Sequence, residues 1–545
     1  MRLRTVRTVD LREKENPLAG LDSNSSEVSV VRIARGRSRT LLGLLIAAAI
    51  TGAVQTADAA DPAMEERIAA LVPRLETYIA EGMKAFDNPG LAIGIVAGDR
   101  LVYAKGFGLR KKDGEPVDTR TVFQIGSTTK AFLATTMAIA VDRGQFKWDD
   151  RVVDLDPDFQ LKDAWVTREL RMFDIIAQRS GMPPYANDLF GILGFDEAAL
   201  IRSLRHVEPV SSFRSTFAYT NITHFEAGRI LAKVADAPDW FAVLRADIFE
   251  PLGMTESSYT AAAIEAAANH AVGHRWTPAG TVEVPFTQLF PYDFRGAGAI
   301  NSTVEDMARW LRLQLGGGTF EGKRIVSPEN LAATRMARVA MSDKAAYAMG
   351  WVVLSTPNGN VVWHNGGTTS FGAYVGLQLD KNVGVVVLTN EVNVGFPDAI
   401  GMWTFDRLLG NPDVDFVAER LKRATAEAER IEKLFARPTS PRPFPPLGPL
   451  VGAFTHPAFG KVTVTQEADA LRMQLASGAV LKPDPWDGDV FTATLVPDGP
   501  FAAIVANQGD LQPIAFVQFQ VGSDGTLAVL KLSTDDGQSY EFRRE

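Results

Sequence analysis

The chain has 545 residues, 46% of them hydrophobic and 22% charged, which makes it too long for one compact core and too apolar to be disordered. Its 56 Lys and Arg and 65 Asp and Glu give a formal charge of -9, which excludes long-range attraction toward nucleic acid or an anionic membrane surface. There is no Cys, and none of the six His stands in an H-E-x-x-H motif. Disulfides, thiolate catalysis and lipoprotein anchoring are therefore excluded, and metal-dependent hydrolysis has no support.

The N-terminal segment carries the features of an export signal. An apolar run over residues 41–54 precedes Ala57-Asp58-Ala59, a small-residue cleavage pattern. The run is shorter than the roughly 20 residues that a membrane span requires. It follows four arginines: Arg32, Arg35, Arg37 and Arg39. We therefore predict a disordered N-terminus and signal peptide over residues 1–59, a periplasmic or secreted protein, and no stable membrane span after cleavage.

Two groups of strand patterns are separated by a long helical region. Met64 to Phe86 has the periodicity of an amphipathic helix with an interruption at Pro73, and a hairpin of two apolar runs follows between residues 91 and 106. Residues 121–340 are mostly helical in pattern, and alternating strand patterns return between residues 350 and 388. We predict an α+β fold, with one sheet built from both ends of the domain and a helical insertion between them.

A proline-rich segment divides the chain after a charged helix predicted from Asp413 to Arg437. Six prolines within residues 438–449 favour an extended, semi-rigid connection. Beyond it, short alternating runs separated by Gly, Asp and Pro predict a small all-β domain. The predicted organisation is an α+β domain over residues 60–437, a linker over 438–449 and a small β domain over 450–545.

The segment Ser127-Thr-Thr-Lys130 lies where an apolar run meets a helical pattern. Residues three positions apart are neighbours on a helix, so the Lys130 amine is expected beside the Ser127 hydroxyl. A desolvated lysine with a lowered pKa can take the hydroxyl proton, so one helical turn could supply both nucleophile and base. The S-x-x-K pattern alone occurs by chance about once or twice in a chain this long, usually on an exposed helix surface.

A second candidate motif is Tyr219-Thr-Asn221, which precedes an amphipathic helical stretch. A tyrosine held near a lysine ammonium is stabilised as a phenolate and can relay protons to a leaving group. A core tyrosine is the commoner role for such a short pattern, and Tyr185-Ala-Asn187 has the same spacing. We favour Tyr219, because Tyr185 follows two prolines in a predicted flexible loop.

The third motif, His364-Asn-Gly-Gly367, is predicted to end a strand and open a glycine-rich turn. Backbone N–H groups at a strand edge beside a nucleophile can stabilise an oxyanion. The alternative is a hairpin turn with an incidental histidine. The chain contains no G-x-S-x-G, so the nucleophile elbow of α/β-hydrolases is not available.

In this order, the three motifs resemble those of the penicillin-recognising serine hydrolases, which include class C β-lactamases, D-alanyl-D-alanine carboxypeptidases, D-aminopeptidases and β-lactamase-like esterases. The resemblance covers roughly residues 65–410. Matching segments elsewhere are Phe123 to Ser127, Ile175 to Gly181, Gly296 to Ser302, Tyr347 to Trp351 and Gly384 to Asn390. The resemblance implies a β-lactamase/transpeptidase-like sheet flanked by helices, with no cofactor and no metal. The C-terminal segment resembles the barrel-like β domain often appended to bacterial members of the family.

The resemblance also implies roles for individual residues. Ser127 is then the acylated nucleophile, Lys130 its base and Tyr219 the proton relay. Asn221 contacts the substrate and the lysine, and Gly367 supplies the second oxyanion N–H beside that of Ser127. His364 stands where the β-lactamases have the lysine of a K-T-G strand.

That histidine directs the functional prediction. A side chain that is mostly neutral at pH 7 replaces a permanent cation, which disfavours recognition of a β-lactam or terminal carboxylate. We therefore predict an exported acyl-enzyme serine hydrolase that cleaves small peptides, amides or esters, including peptides with D-residues or linearised cyclic peptides. The alternatives are a penicillin-binding or sensor protein with little turnover, and an inactive binding module. The expected partner is a small molecule or short peptide, and the sequence leaves the substrate and oligomeric state open.

Overall fold

The computed structural model describes residues 61–509, 512–522 and 526–545, so the predicted signal peptide lies outside the described residues. Across these ranges, no helix is both long and apolar enough to cross a bilayer. The helices are α1 Pro62–Phe86, α2 Thr129–Asp142, α3 Val152–Leu155, α4 Ala164–Glu169, α5 Met172–Ile175, α6 Asp188–Ile192, α7 Glu197–Ser203, α8 Ile222–Val234, α9 Trp240–Leu244, α10 Glu250–Leu252, α11 Ala261–Ala266, α12 Arg295–Gly298, α13 Val304–Leu315, α14 Pro328–Thr334, α15 Phe396–Leu409, α16 Phe416–Phe435 and α17 Phe501–Gln508.

The strands fall into a large sheet, a barrel and three short pairs. Those before the barrel are β1 Gly90–Ala97, β2 Arg100–Gly108, β3 Phe123–Gln124, β4 His274–Thr277, β5 Gly280–Glu283, β6 Asn301–Ser302, β7 Thr319–Phe320, β8 Lys323–Arg324, β9 Val339–Ala340, β10 Ala345–Tyr347, β11 Val352–Thr356, β12 Gly359–Gly367, β13 Gly372–Gln378 and β14 Val383–Thr389. The barrel strands are β15 Gly452–His456, β16 Gly460–Glu467, β17 Ala470–Leu475, β18 Val480–Asp487, β19 Val490–Leu495, β20 Ala515–Val521, β21 Leu527–Ser533 and β22 Ser539–Arg544.

The large sheet confirms the predicted α+β architecture. Its eight strands run in the order β2-β1-β14-β13-β12-β11-β10-β9, and all neighbours are antiparallel. The N-terminal hairpin joins the C-terminal strands through β1 and β14, with Leu91 opposite Thr389. Both ends of the domain therefore build one sheet, and the helical insertion lies between them in sequence.

Apolar layers cover both faces of this sheet. Along β1, Ile93 and Ile95 belong to the core that includes α1 and α15, whereas Ala92 and Val96 belong to the core that includes α2 and α13. This alternation follows the two-residue period of a strand. Helix α1 does not break at Pro73 as predicted, because its apolar side packs along its whole length and outweighs one lost backbone hydrogen bond.

The C-terminal segment forms a closed eight-stranded barrel, β15 to β22, which confirms the all-β prediction apart from α17. Its apolar core is continuous with that of the helical insertion. The Phe190 and Phe459 rings stack with centroids 3.3 Å apart, and the Ser477 hydroxyl donates to the Leu193 carbonyl at 2.5 Å. The described residues thus form one compact unit in which the barrel packs against the α+β domain.

Candidate active site

One cavity of about 930 Å³ gathers most of the residues that the sequence motifs single out. Ser127 lies in a 3₁₀ turn, Gly126–Thr128, that leads directly into α2. The other predicted residues that line the same cavity are Tyr219, Asn221, His364 and Gly367. Three segments far apart in the sequence therefore meet at one cavity beside the Ser127 hydroxyl.

Lys130 is completely buried on the first turn of α2. Its Nζ lies 3.0 Å from Ser127 Oγ, 2.7 Å from Asn221 Oδ1 and 2.8 Å from the carbonyl oxygen of Ala297. Burial lowers the pKa of Lys130 to about 7, although the charge of Asp188 acts in the opposite direction. In the neutral amine, two N–H bonds satisfy the amide and the carbonyl, which leaves the lone pair for the Ser127 hydroxyl proton.

Asn221 connects the lysine to a carboxyl group that the sequence analysis missed. Its Nδ2 donates to Asp188 Oδ2 at 2.6 Å while its Oδ1 accepts from Lys130. Burial raises the pKa of Asp188 to about 7, and the charge of Asp536 adds to the rise. Asp188 belongs to no motif that we recognised, and its only signal was its position directly after Tyr185-Ala-Asn187.

Tyr219 lies beside the lysine, with Lys130 Nζ 4.7 Å from the centre of its ring. Burial, reinforced by the neighbouring Tyr347, raises the pKa of Tyr219 well above 10, while a hydrogen bond with Ser127 opposes the rise. The direction of this shift argues against the expected phenolate, because burial outweighs the hydrogen bond with Ser127. The neutral phenol is instead a proton donor next to the nucleophile.

The competing tyrosine also reaches the cavity. The Tyr185 ring lies 5.5 Å from that of Tyr219, and its backbone N–H donates to the Tyr219 carbonyl at 2.6 Å. Tyr185 remains 49% exposed, whereas the Lys130 amine lies over the ring of Tyr219. The two tyrosines thus share a wall, but Tyr219 is the one over the lysine.

Glycines allow the nucleophile turn to approach the sheet edge very closely. Gly126 has a φ of +51°, and a Cβ built there would lie 2.6 Å from the backbone nitrogen of Gly367. A Cβ on Gly366 would lie 1.9 Å from the carbonyl oxygen of Ile125. Strand β12 therefore continues through Gly367 instead of turning after His364 as predicted. This approach brings the Gly367 backbone beside the Ser127 turn, as an oxyanion donor there requires.

His364 is a buried, neutral group in the cavity wall. Its Nδ1 donates to the Asn365 carbonyl at 2.6 Å, so its Nε2 accepts from the Tyr347 hydroxyl at 3.1 Å. Burial and the nearby Lys130 lower its pKa to about 3. This wall therefore provides no cation at the position where the resemblance places a lysine.

Together these groups can carry out acyl transfer. The site offers a hydroxyl nucleophile, an amine whose pKa lies near neutrality, a phenol that can donate a proton and a close backbone edge for an oxyanion. Apolar and aromatic side chains such as Ile192, Phe217 and Phe290 line part of the cavity, and polar and acidic residues of the barrel line another part. The apolar part favours a neutral or apolar acyl group.

Comparison with protein families gives two matches. The family model described as Beta-lactamase matches residues 75–408, and the one described as Domain of unknown function (DUF3471) matches residues 436–544. The chain is 27% identical over 405 residues to Unguisins hydrolase ungD' of Aspergillus campestris, covering 69% of this chain and 74% of the relative. It is 26% identical over 379 residues to Penicillin-binding protein 4 of Amycolatopsis lactamdurans, covering 67% and 93% respectively.

Solved structures share the fold. The octameric penicillin-binding protein homologue from Pyrococcus abyssi has a TM-score of 0.56 at 22% identity, covering 86% of this chain and 99% of that one. D-alanine carboxypeptidase AmpC from Burkholderia cenocepacia has a TM-score of 0.51 at 21% identity, covering 63% and 99% respectively.

Proposed function

We propose that this chain, which belongs to the Beta-lactamase family and is a serine hydrolase, is exported and cleaves small peptides, amides or esters. The proposed reaction proceeds through an acyl-enzyme on Ser127. The observation that carries the proposal is the Lys130 amine, completely buried and 3.0 Å from Ser127 Oγ. A lysine in water holds its proton at neutral pH, whereas this one is poised to exchange it.

In the proposed acylation, neutral Lys130 takes the Ser127 proton as Oγ attacks the substrate carbonyl carbon. The backbone N–H groups of Ser127 and Gly367 would hold the resulting oxyanion. When the intermediate collapses, the bond to the leaving group breaks, and Tyr219 gives that group a proton and regains one from the Lys130 ammonium. Deacylation repeats these transfers with water as the nucleophile, which returns the Ser127 hydroxyl and releases a carboxylic acid.

The cavity supports a neutral substrate. His364 is uncharged, so the wall lacks the fixed cation that would bind a β-lactam carboxylate or a terminal carboxylate. A relative named as a hydrolase of unguisins supports the assignment of a small organic or peptide substrate. Short peptides, including those with D-residues or linearised cyclic peptides, and neutral esters are the classes we propose.

A fluorophosphonate probe tests the nucleophile. Mass spectrometry of the labelled full chain should place the adduct on Ser127, and Ser127→Ala should remove both the adduct and the turnover of p-nitrophenyl esters or aminoacyl anilides. A label on another residue, or retained turnover in Ser127→Ala, would reject the proposal. A stoichiometric burst without steady turnover would instead support the penicillin-binding alternative, and neither label nor turnover would support an inactive module.

Export requires a separate test, since residues 1–59 carry its only support. Expression of the full chain in a Gram-negative host, followed by cell fractionation and N-terminal sequencing, should give a periplasmic or secreted protein that starts at Ala60. An intact N-terminus in the cytoplasmic fraction would contradict the proposed export.

A further inference from the structure

The barrel reaches the cavity through the turn between β21 and β22, where Gln538 contacts the α+β domain. Its Nε2 donates to the carbonyl oxygens of Pro184 and Tyr185, each at 3.2 Å. Its Oε1 accepts from the backbone N–H of Asn187 at 3.3 Å and from the Tyr540 hydroxyl at 2.9 Å. A single side-chain amide of the barrel thus binds the backbone of three residues within one four-residue loop segment, 184–187.

That loop adopts a conformation that needs external support. Tyr185 and Asn187 both have left-handed backbone angles, with φ of 55° and 64°. Non-glycine residues are uncommon there, and a bulky tyrosine is an outlier that persists only when its surroundings hold it. Besides Gln538, the loop is held by the Tyr185 N–H bond to the Tyr219 carbonyl and by the Asn187 Nδ2 bond to Ser203 Oγ at 2.6 Å.

The loop determines where Asp188 lies, because Asp188 follows Asn187 directly and begins α6. When ionised, the Asp188 carboxylate can only accept, so its 2.6 Å bond from Asn221 Nδ2 fixes which end of that amide faces the lysine. Asn221 Oδ1 consequently points at Lys130 Nζ, 2.7 Å away. A continuous series of contacts therefore runs from the barrel to the amine beside Ser127.

We propose that Gln538 is a positioning residue for the reaction, through which the barrel holds the 184–187 loop and thereby orients Asp188, Asn221 and the Lys130 amine. The inference rests on the proposed function, since it concerns the activation of Ser127. The barrel then completes the active site as well as covering it. This agrees with its place in the cavity wall, to which Thr534, Asp535, Asp536 and Gln538 all contribute.

Several charged or titratable groups face this series. Lys130 interacts with or lies beside four of them: Asp188 on α6, Tyr219 before α8, His224 on α8 and His364 on β12. Asp536 of the barrel acts on Asp188, and Gln538 Nε2 also donates to Asp536 Oδ2 at 2.7 Å. A change at Gln538 is therefore transmitted to the lysine through the Asp188 carboxyl, which a pH profile can detect.

The test uses Gln538→Ala in the full chain, measured as the rate of fluorophosphonate labelling of Ser127 between pH 5 and pH 9. We expect the maximal rate to fall about tenfold or more, because a misplacement of about 1 Å caused far from the chemistry can cost on the order of 100-fold. The acidic limb of the pH profile, where the labelling rate falls as Lys130 becomes protonated, should move to higher pH. A better solvated Asp188 ionises more readily, and its charge then favours the ammonium form of Lys130.

Gln518→Ala is the matched control. Gln518 is another barrel glutamine bonded to an aspartate, with Nε2 2.9 Å from Asp489 Oδ2, and it does not line the cavity. We expect its labelling rate and pH profile to match the wild type. Gln538→Glu provides a second disruptive variant of similar size, because its carboxylate would face two carbonyl oxygens and Asp536, and its labelling should also fall.

Asp188→Asn tests the middle of the series. It keeps an acceptor for Asn221 but loses the charge, so the acidic limb should move to lower pH. In this background, Gln538→Ala should no longer shift the limb, because the shift passes through the Asp188 carboxyl.

The proposal is overturned if folded Gln538→Ala keeps the wild-type labelling rate and the wild-type acidic limb of the pH profile. It is also overturned if the pH profile of Asp188→Asn is identical to that of the wild type. If Gln538→Ala lowers the melting temperature too far to assay, the Gln538→Glu and Asp188→Asn profiles decide in the same way. Labelling of a residue other than Ser127 would instead refute the proposed function. Labelling at Ser127 with unchanged variants would refute only the role of Gln538.

Discussion

The two sides of the cavity differ in how the chain builds them. On the nucleophile side, Ser127 and Lys130 lie three residues apart on one helical turn, and the lysine is buried with a strongly shifted pKa. On the barrel side, Gln538 sits in a surface turn and contacts residues more than 350 positions earlier in the sequence. Reactivity is thus set locally, whereas its geometric support comes from a distant part of the chain.

The largest effects should come from the nucleophile side. Ser127→Ala and Lys130→Ala should each lower kcat by on the order of 10⁴-fold or more, as expected when a nucleophile or its base is removed from a group that acts as a unit. Pre-steady-state and steady-state assays on one p-nitrophenyl ester measure both variants. A Lys130→Ala enzyme within tenfold of the wild type would show that the buried amine is not the base.

A smaller effect is expected for the two tyrosines on the shared wall. Tyr219→Phe should lower kcat by on the order of 100-fold, the lower range for a general acid–base group. Tyr185→Phe should be much milder, because Tyr185 is half-exposed and the Lys130 amine lies over the Tyr219 ring instead. If Tyr185→Phe lowered kcat more than Tyr219→Phe, Tyr185 would be the proton relay, and the reacting groups would lie nearer the barrel.

His364 is expected to decide how well the site accepts anionic substrates. A charge-assisted contact contributes about 1.5–3 kcal/mol, so His364→Lys should speed nitrocefin hydrolysis by roughly ten- to a hundredfold if the new ammonium reaches the carboxylate. The wild type should hydrolyse nitrocefin slowly and turn over a neutral ester far faster. Wild-type nitrocefin kcat/KM at or above about 10⁶ M⁻¹s⁻¹ would place the chain with efficient β-lactamases and overturn this interpretation.

The smallest effect is the pH dependence of the wild type itself. Lys130 acts as a base only when neutral, and its pKa is about 7. Below pH 7 the rate of Ser127 labelling should therefore fall by up to about tenfold per pH unit. If His364 had the ordinary pKa of a histidine, it would become charged on acidification, and nitrocefin hydrolysis would partly recover near pH 5.5. The buried His364, with a pKa of about 3, excludes that recovery, and nitrocefin assays at pH 7 and pH 5.5 check it.

The sequence allowed prediction of those parts of the site and fold that are specified by short, local patterns. The S-x-x-K spacing placed Ser127 beside Lys130 because helical geometry fixes neighbours three residues apart. Apolar runs in a hairpin predicted β1 and β2, and alternating patterns predicted the later strands; each face of β1 meets a separate core. Both signals are local, so neither requires knowledge of how distant segments pack.

The missed features depend on distant contacts. Asp188 and Gln538 belong to no motif, and their roles follow only from the meeting of the 184–187 loop with the barrel. The phenolate expected at Tyr219 failed because burial, which a sequence does not give, decides its pKa. The strand continues past His364, and Gly366 on the strand and Gly126 on the Ser127 turn let the two pass close together.

The closure of the C-terminal barrel bears on how the protein avoids aggregation. Open sheet edges present unpaired backbone groups that can template pairing with other chains, and closure removes them. In the barrel, β15 pairs with β22, so each of its described strands has two neighbours. The large sheet ends in two outer strands, β2 and β9. At β2, Arg100 and Lys105 place charge on the edge and pair with Glu65 and Glu76 of α1. The β2 edge thus carries electrostatic protection that the barrel does not require.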